Sequence, residues 1–257
     1  MKSKTIPAIL FITAATIGLL FPTHTIETPY LHALHILLLI SIAFYFHKKF
    51  KPLTGPALFF LLAYITKTLP FFTLGLMLII PIIVYFLMVL VVKPLREGKL
   101  IPSVGEVNRV TVIIGLVVVV VSSSSLILWY WLFNPDIEVF AEYFPKVELY
   151  KLMIGGIVFS VVNAIVEEVI YRGILWSGLT NLFDSVSTVI IIQAIIFGVI
   201  HYWGVPNGIL GVVMAFIYGL FLGAIRSRAK GLLMPIVTHI FADMTIFLIL
   251  LNIIGRI

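Results

Sequence analysis

The sequence contains no cysteine and few charged residues. None of the 257 residues is Cys, which excludes disulfides and thiol catalysis. Charged residues make up 11% of the chain and hydrophobic residues 61%, whereas a soluble globular protein is about 25% charged. This composition excludes a soluble globular domain. It predicts an all-α, polytopic transmembrane helix bundle.

Several familiar signals are also missing. The first apolar run, residues 6–21, has no small-x-small cleavage site and leads into further apolar runs, which predicts a retained helix and not a cleaved signal peptide. No internal repeat has a fixed period. The chain has no His-Glu-x-x-His, Gly-x-Gly-Asp or Gly-x-Ser-Gly motif, so those intramembrane protease signatures are excluded.

Nine apolar runs are long enough to be membrane spans. The third is the weakest because Lys67 and Pro70 interrupt it, so eight spans is the alternative count. The loop 93–108 is the predicted boundary between an N-terminal part, 1–108, and a C-terminal part, 109–257, that holds the candidate chemistry. The nine runs lie near 6–21, 30–46, 54–69, 71–92, 109–133, 149–172, 186–202, 207–225 and 232–254.

The charges sort into two groups along the chain. With nine spans and a cytoplasmic N-terminus, the basic clusters fall on the inside and the acidic segment after span five falls outside, as the positive-inside rule expects. The net charge of +6 therefore indicates topology in a cell membrane and not a nucleic-acid partner. The basic clusters are Lys2 and Lys4; Lys48, Lys49 and Lys51; Lys93, Arg96, Lys99 and Arg109; and Arg226, Arg228 and Lys230. The acidic residues are Asp136, Glu138, Glu142 and Glu148.

One apolar stretch, residues 163–173, carries three ionisable side chains. A charge near the middle of a membrane helix costs roughly 2.5 kcal/mol or more. Glu168 and Arg172 are four residues apart, so they share a helix face and can form an ion pair. Glu167 is rotated by about 100° from that face and has no local partner. A carboxylate without a charged partner in an apolar setting is a candidate general base, so Glu167 is the predicted proton acceptor.

Two later spans carry further polar groups. Span seven ends in His201, and span nine contains His239 and Asp243, which are four apart and face the same way. Because separate burial of each group would be costly, a shared polar cavity is the simpler prediction. The other intramembrane polar features are interpreted as structural. His24, His32 and His35 are predicted to be interfacial, with a surface metal site as the alternative, and Ser122–Ser125 is predicted to make a close helix contact or a kink.

These groups suit two kinds of chemistry. Glu167 can take a proton from water that attacks an amide carbonyl, with His201 orienting the water, while His239, assisted by Asp243, stabilises the oxyanion. The alternative is a zinc site, for which Glu167, His201 and His239 are the candidate ligands. The spacing does not decide between the two.

The motif set Glu167-Glu168-x-x-x-Arg172, Phe197-x-x-x-His201 and His239-x-x-x-Asp243 resembles that of the CPBP (ABI) family of intramembrane proteases, which includes CAAX prenyl protease 2, the type II CAAX endopeptidase. The resemblance covers about residues 150–250. It implies that Glu167 and His201 activate water and that His239 and its partner stabilise the oxyanion, with Glu168 and Arg172 in support. Asp243 stands where the prenyl-protease branch has Asn. The family is often labelled a metalloprotease, and a metal-free mechanism is also argued for it.

The predicted function is therefore hydrolysis of a peptide bond in a membrane-associated or lipidated, CAAX-like substrate. The expected partners are membrane lipids and that substrate. Two alternatives belong to other classes: a non-catalytic membrane partner or chaperone that keeps the fold, and a proton-coupled transporter that uses Glu167 as carrier. Intact polar residues in all three motifs favour the enzyme over the chaperone. The lack of repeats with broken helices argues against a transporter.

Overall fold

The computed structural model describes residues 4–20, 29–69, 76–92, 95 and 102–255. All regular secondary structure in these residues is helical, without strands, which confirms the predicted all-α class. Some of the predictions above concern residues outside this described part. They are the interfacial position of His24, the interruption at Pro70, and the inside positions of Lys2, Lys93, Arg96 and Lys99.

Ten α-helices lie within the described residues. Two π-helical segments, Thr16–Leu20 and Val169–Leu175, continue α1 and α6. A 3₁₀ turn, His201–Trp203, follows α8. The helices are α1 Thr5–Ala15, α2 Pro29–Lys49, α3 Thr54–Thr68, α4 Leu76–Val91, α5 Arg109–Phe133, α6 Leu149–Glu168, α7 Trp176–Leu182, α8 Val186–Ile200, α9 Gly208–Ala229 and α10 Leu233–Ile253.

Each of the nine predicted spans coincides with helix in the described residues. Six helical stretches there are long and apolar enough to cross a membrane, so the chain is a multi-pass membrane protein. The other three are shorter than the ~20 residues that a crossing usually takes: Thr5–Leu20, α3 and Met77–Val91. The six long stretches are Pro29–Lys49, Arg109–Phe133, Leu149–Leu182, Val186–Trp203, Gly208–Ala229 and Leu233–Ile253.

The helices form two compact units. The first comprises Met1–Pro102 and Val169–Ile196. Its core contains the buried ring of Phe11, whose centroid lies 5.5 Å from that of Phe60. Gly178 of α7 lies so close to Phe11 that an added Cβ would collide with the ring, so this position requires glycine. The segment 169–196 thus packs with the N-terminal helices. The predicted division at residue 108 stays a prediction.

The histidines of α2 are bonded within this first unit. His32 Nδ1 lies 3.0 Å and His35 Nδ1 2.8 Å from the hydroxyl oxygen of Tyr64, a fully buried residue of α3. A hydroxyl can donate one hydrogen bond and accept others, so Tyr64 can satisfy both rings. The interfacial assignment did not anticipate this link between α2 and α3.

The second unit comprises Ser103–Glu168 and Phe197–Ile257. Helix α10 packs against both α5 and α6. Gly156 of α6 lies so close to the Phe247 ring of α10 that a side chain there would collide with it. On the other side, Ser123 of α5 and Thr245 share a hydrogen bond of 2.8 Å between hydroxyl oxygens. That bond confirms the predicted close helix contact of the serine tract. This packing brings α6 and α10, which carry the candidate carboxylates and His239, side by side.

The predicted topology gives a labelling experiment. Cysteines introduced singly at Glu142 and Ser227 should react with a membrane-impermeant thiol reagent from opposite sides, because the acidic segment is predicted outside and the basic end of α9 inside. The chain has no native Cys to interfere. A cysteine at Val120, an exposed position in the middle of α5, is the unlabelled control. Reaction of both test sites from one side would contradict the nine-span topology.

Candidate active site

Helix α6 presents three polar side chains near its C-terminal end. Asn163 and Glu167 are four residues apart and lie on one face, and Glu168 follows one position later, about 100° around the axis. The helix continues as the π-helical segment Val169–Leu175. Wider π turns are rare and are frequently found at functional sites. Here the change of helix type falls directly after the two carboxylates.

Glu168 holds His239 in one orientation. The Glu168 side chain is fully buried, and its Oε1 lies 2.8 Å from His239 Nδ1. A carboxylate accepts hydrogen bonds, so Nδ1 carries the proton and donates it. The other ring nitrogen, Nε2, then lies 3.7 Å from Glu167 Oε2 and 3.6 Å from Asp243 Oδ1. Glu168 therefore sets the direction in which His239 Nε2 points.

The spacing of four predicts Arg172 as the partner of Glu168 and gives no sign of the contact between Glu168 and His239. Arg172 is fully buried and belongs to the first unit. Its pairing with Glu168 stays a prediction. Buried ionic groups need partners, and the His239 contact now supplies one for Glu168. The two glutamates thus differ in what they contact.

Asn163 joins two carboxylates and was missed as a site residue. Its Nδ2 donates to Glu167 Oε1 at 3.2 Å and to Asp243 Oδ2 at 3.1 Å. The second contact links residues 80 positions apart on α6 and α10. The spacing of four between Asn163 and Glu167 was the available signal, since it places an amide on the same face as the predicted base. The amide separates two acidic groups and offers each a donor.

Glu167 is the most accessible glutamate of the site. Its side chain is 23% exposed, whereas that of Glu168 is 0% exposed. Yet its Oε2 is buried and has no hydrogen-bond partner among the described residues. Asn163 occupies Oε1, so Oε2 faces His239 with its hydrogen-bonding capacity unused by the described part of the protein. A water molecule is the natural partner for such an oxygen.

The Phe197 ring contacts both His201 and His239 and so links His201 to the site. Its Nδ1 lies 2.9 Å from the Phe197 carbonyl oxygen, so Nδ1 donates and Nε2 is the acceptor of the neutral ring. The Phe197 ring lies 4.6 Å from the His201 ring and 6.0 Å from the His239 ring, between centroids. Phe197 is fully buried. The ring centroids of His201 and His239 are therefore no farther apart than the sum of these two distances.

Tyr218 of α9 is a second aromatic neighbour of His239. Its ring meets that of His239 edge-on, with centroids 5.6 Å apart and planes at 78°. Its hydroxyl donates to the carbonyl of Thr238, the residue before His239, at 3.3 Å. The ring and the hydroxyl together confine His239 from the side of α9. No local sequence pattern pointed to this contact, since Tyr218 and His239 lie on different helices.

The arrangement of donors bears on the proposed zinc site. Within the described residues, no group of three or more His, Asp or Glu side chains is placed to hold a metal ion. The predicted ligands Glu167, His201 and His239 do not form such a group. His239 Nδ1 already bonds a carboxylate, which leaves only Nε2 as a potential ligand. The donor geometry lends no support to the metalloprotease alternative.

Replacing Asn163 by leucine should lower any hydrolytic activity roughly 10- to 100-fold. The change removes two hydrogen bonds to carboxylates, and a hydrogen bond to a charged group contributes about 1.5–3 kcal/mol. The rate of peptide cleavage by the purified variant is the measurement. Asn181→Leu is the matched control, because Asn181 is exposed and its side chain donates to the Ser177 carbonyl, away from the acidic cluster. Equal activity of the two variants would show that the amide bridge does not matter.

Comparison with known families agrees with the motifs. Residues 149–245 match the family model described as Rce1-like, type II CAAX prenyl endopeptidase Rce1-like. The matched range contains α6, α8 and α9 and the first half of α10, and so includes Asn163, Glu167, Glu168, His239 and Asp243. No curated protein and no solved structure matches the chain. The family resemblance seen in the sequence is confirmed over this range.

Proposed function

We propose that this multi-pass membrane protein hydrolyses a peptide bond by means of water that Glu167 activates. Its residues 149–245 match the Rce1-like family model of the CAAX-type intramembrane proteases. The observation that carries the proposal is the environment of Glu167 Oε2. That oxygen is buried, faces His239 Nε2 at 3.7 Å and has no hydrogen-bond partner among the described residues. A general base needs such an oxygen within reach of a water proton.

The proposed reaction begins with water between Glu167 and His201. Glu167 takes a proton from the water, and the water oxygen forms a bond to the carbonyl carbon of the peptide. His201 Nε2 accepts a hydrogen bond and orients the water, since Nδ1 is committed to the Phe197 carbonyl. The carbonyl π electrons move to oxygen and give a tetrahedral oxyanion. Glu167 then returns its proton to the amide nitrogen as the carbon–nitrogen bond breaks.

His239 is assigned to the oxyanion. When both ring nitrogens are protonated, Nδ1 donates to Glu168 and Nε2 can donate to the developing negative charge. The carboxylate oxygens of Glu168 and Asp243 lie 2.8 and 3.6 Å from the ring nitrogens of His239, so both acidic groups are close to the ring that faces the oxyanion. In this proposal Asp243 acts indirectly, through His239, a role compatible with asparagine at this position in the prenyl-protease branch that the motifs resemble.

The proposed substrate is a membrane-associated peptide, including lipidated, CAAX-like C-termini. The site belongs to helices that are long and apolar enough to cross the bilayer, so substrates held at the membrane reach it more easily than soluble ones. We further propose that the protein resides in the cell membrane, with the basic clusters in the cytoplasm.

A peptide library provides the test. Purified protein in detergent is incubated with matched lipidated and unlipidated peptides, and new termini are identified by mass spectrometry. Cleavage by the wild type, reduced at least roughly 100-fold in a Glu167→Gln sample prepared in parallel, is the expected result. No cleavage of any peptide by folded protein would favour the non-catalytic alternative. Uptake of protons or solutes into proteoliposomes without cleavage would favour a transporter.

Chelation and elemental analysis test whether cleavage requires a metal ion. We expect exhaustive chelation to leave cleavage unchanged and elemental analysis of active protein to find no stoichiometric metal, because Glu167 and His239 can supply the base and the oxyanion donor themselves. A zinc site with three protein ligands would place coordinating atoms about 2.0–2.2 Å from the ion. Stoichiometric zinc whose removal stops cleavage and whose return restores it would show the expectation to be wrong.

A further inference from the structure

Two arginines in the second unit line one cavity at the predicted cytoplasmic surface. The cavity has a volume of about 480 Å³ and is bounded by Asn108, Arg109, Val110, Thr111 and Arg228. Arg109 is the first residue of α5, and Arg228 lies in the last turn of α9. Both are exposed, and neither forms an ion pair within the described part of the chain. The nearby pair Lys230–Glu106, at 3.4 Å, uses the neighbouring acidic side chain.

This cavity suits an anion. No acidic residue lines it, and guanidinium groups bind phosphate oxygens in a fork geometry. The N-terminus of α5 adds the positive end of a helix dipole. Asn108 already caps that helix by accepting from the Thr111 amide, so the dipole assists while the two arginines supply the main attraction.

An apolar groove lies beside this cavity, with Val107 and Val112 among its lining residues. It has a volume of about 300 Å³ and runs between α5 and α10. Its walls include Val112, Gly115, Leu116, Met234, Val237 and Phe241. Gly115 makes the groove deep: an added Cβ would lie only 3.1 Å from Thr238 Oγ1 and 3.2 Å from Met234 Cε. From Val112 to Val119, which also lines it, the groove follows α5 for about 10 Å at 1.5 Å per residue.

The cavity and the groove share one helix face. Arg109, Val112 and Leu116 are spaced i, i+3 and i+7, so their side chains lie along one stripe of α5. Arg109 lines the cavity, and the other two line the groove. Leu116 is 61% exposed on a helix that is long and apolar enough to cross the bilayer. A molecule with a phosphate at one end and a hydrocarbon chain at the other matches this sequence of surfaces.

We propose that this surface binds one anionic phospholipid, with its phosphate between Arg109 and Arg228 and one acyl chain in the groove between α5 and α10. The predicted inside location agrees, because the cytoplasmic leaflet carries the anionic lipids and basic pockets between membrane helices bind their head groups. This site is independent of the proposed proteolysis and involves none of the residues assigned to it.

Native mass spectrometry of the full chain in detergent tests the proposal. The probes are phosphatidylglycerol and phosphatidylcholine with identical chains, and glycerol phosphate as a head group without chains. The wild type should retain phosphatidylglycerol over phosphatidylcholine by roughly tenfold or more, as two basic contacts imply. Arg109→Gln combined with Arg228→Gln should abolish that preference. Lys48→Gln combined with Lys49→Gln, a matched loss of two predicted cytoplasmic charges, should not.

The groove is tested separately. Val112→Trp, which fills it, and Leu116→Gln, which makes it polar at an exposed position, should both weaken phosphatidylglycerol binding while leaving glycerol phosphate binding unchanged. Equal retention of the two lipids by the wild type would overturn the proposal, and so would a preference that survives loss of both arginines or disappears equally in the lysine control. Tight binding of glycerol phosphate with no effect of either groove variant would identify a free-anion site and likewise overturn it.

Discussion

Replacing Glu167 by glutamine is expected to lower the rate of peptide hydrolysis by roughly 10²- to 10⁴-fold, the usual contribution of a positioned general base. Glutamine has nearly the same shape and can still accept the hydrogen bond that Asn163 Nδ2 donates at 3.2 Å. It cannot take a proton from water. The loss should therefore be confined to catalysis, with substrate binding and the folded fraction of the protein preserved.

A second glutamate-to-glutamine variant, Glu148→Gln, is the control for Glu167→Gln. Glu148→Gln removes a carboxylate that is 63% exposed and pairs with Lys151 at 2.8 Å, and exposed pairs of this kind contribute little to stability. Its cleavage rate should equal that of the wild type. Thermal unfolding and size-exclusion chromatography of both variants establish that the protein is folded. Full activity of Glu167→Gln would remove Glu167 from the mechanism.

Replacing His239 by glutamine is expected to lower the cleavage rate by roughly 10²- to 10³-fold, the typical cost of removing one oxyanion donor. The imidazole lies between three carboxylates, those of Glu167, Glu168 and Asp243. Loss of a group that can carry positive charge leaves these carboxylates to repel one another in a buried setting. We therefore expect a lower unfolding temperature as well, in contrast to Glu167→Gln.

Asp243→Asn is the informative companion of this variant. Asparagine can still accept the hydrogen bond that Asn163 donates to Asp243 at 3.1 Å, and asparagine stands at this position in the prenyl-protease branch that the motifs resemble. If Asp243 acts only through His239, this variant should keep cleavage within about tenfold of the wild type, a cost of at most ~1.4 kcal/mol. A loss as large as that of His239→Gln would instead assign Asp243 a direct role.

Patterns local in sequence predicted much of the architecture. Within the described residues, each of the nine predicted apolar runs coincides with a helix, because the bilayer sets the length of a span. The separate helix α7, Trp176–Leu182, lies outside these runs. Whether the shorter helices cross depends on packing and on flanking residues, and composition does not encode that. Spacing of four placed His239 and Asp243 on one face of α10, and the 3.6 Å separation of Nε2 and Oδ1 reflects it.

The site contacts that the sequence did not predict join residues far apart in the chain. Glu168 and His239 are 71 positions apart, and Asn163 and Asp243 are 80 apart. Only the packing of α6 against α10 brings them together, and a single sequence does not reveal that register. The π-helical geometry of the segment after Glu168 could not be predicted either, because residues such as its Arg and Leu are equally common in α-helices. Local spacing therefore suggested Arg172 as the only partner of Glu168.

A single-turnover reaction in ¹⁸O-labelled water tests the central claim most directly. With enzyme in excess over a peptide that the library identifies, water activated by Glu167 should place one ¹⁸O in the new carboxyl terminus, and Glu167→Gln should form that product roughly 10²- to 10⁴-fold more slowly. An unlabelled product would mean that an enzyme oxygen had attacked the carbonyl carbon. That result, or a labelled product formed equally well by Glu167→Gln, would contradict the role proposed for Glu167.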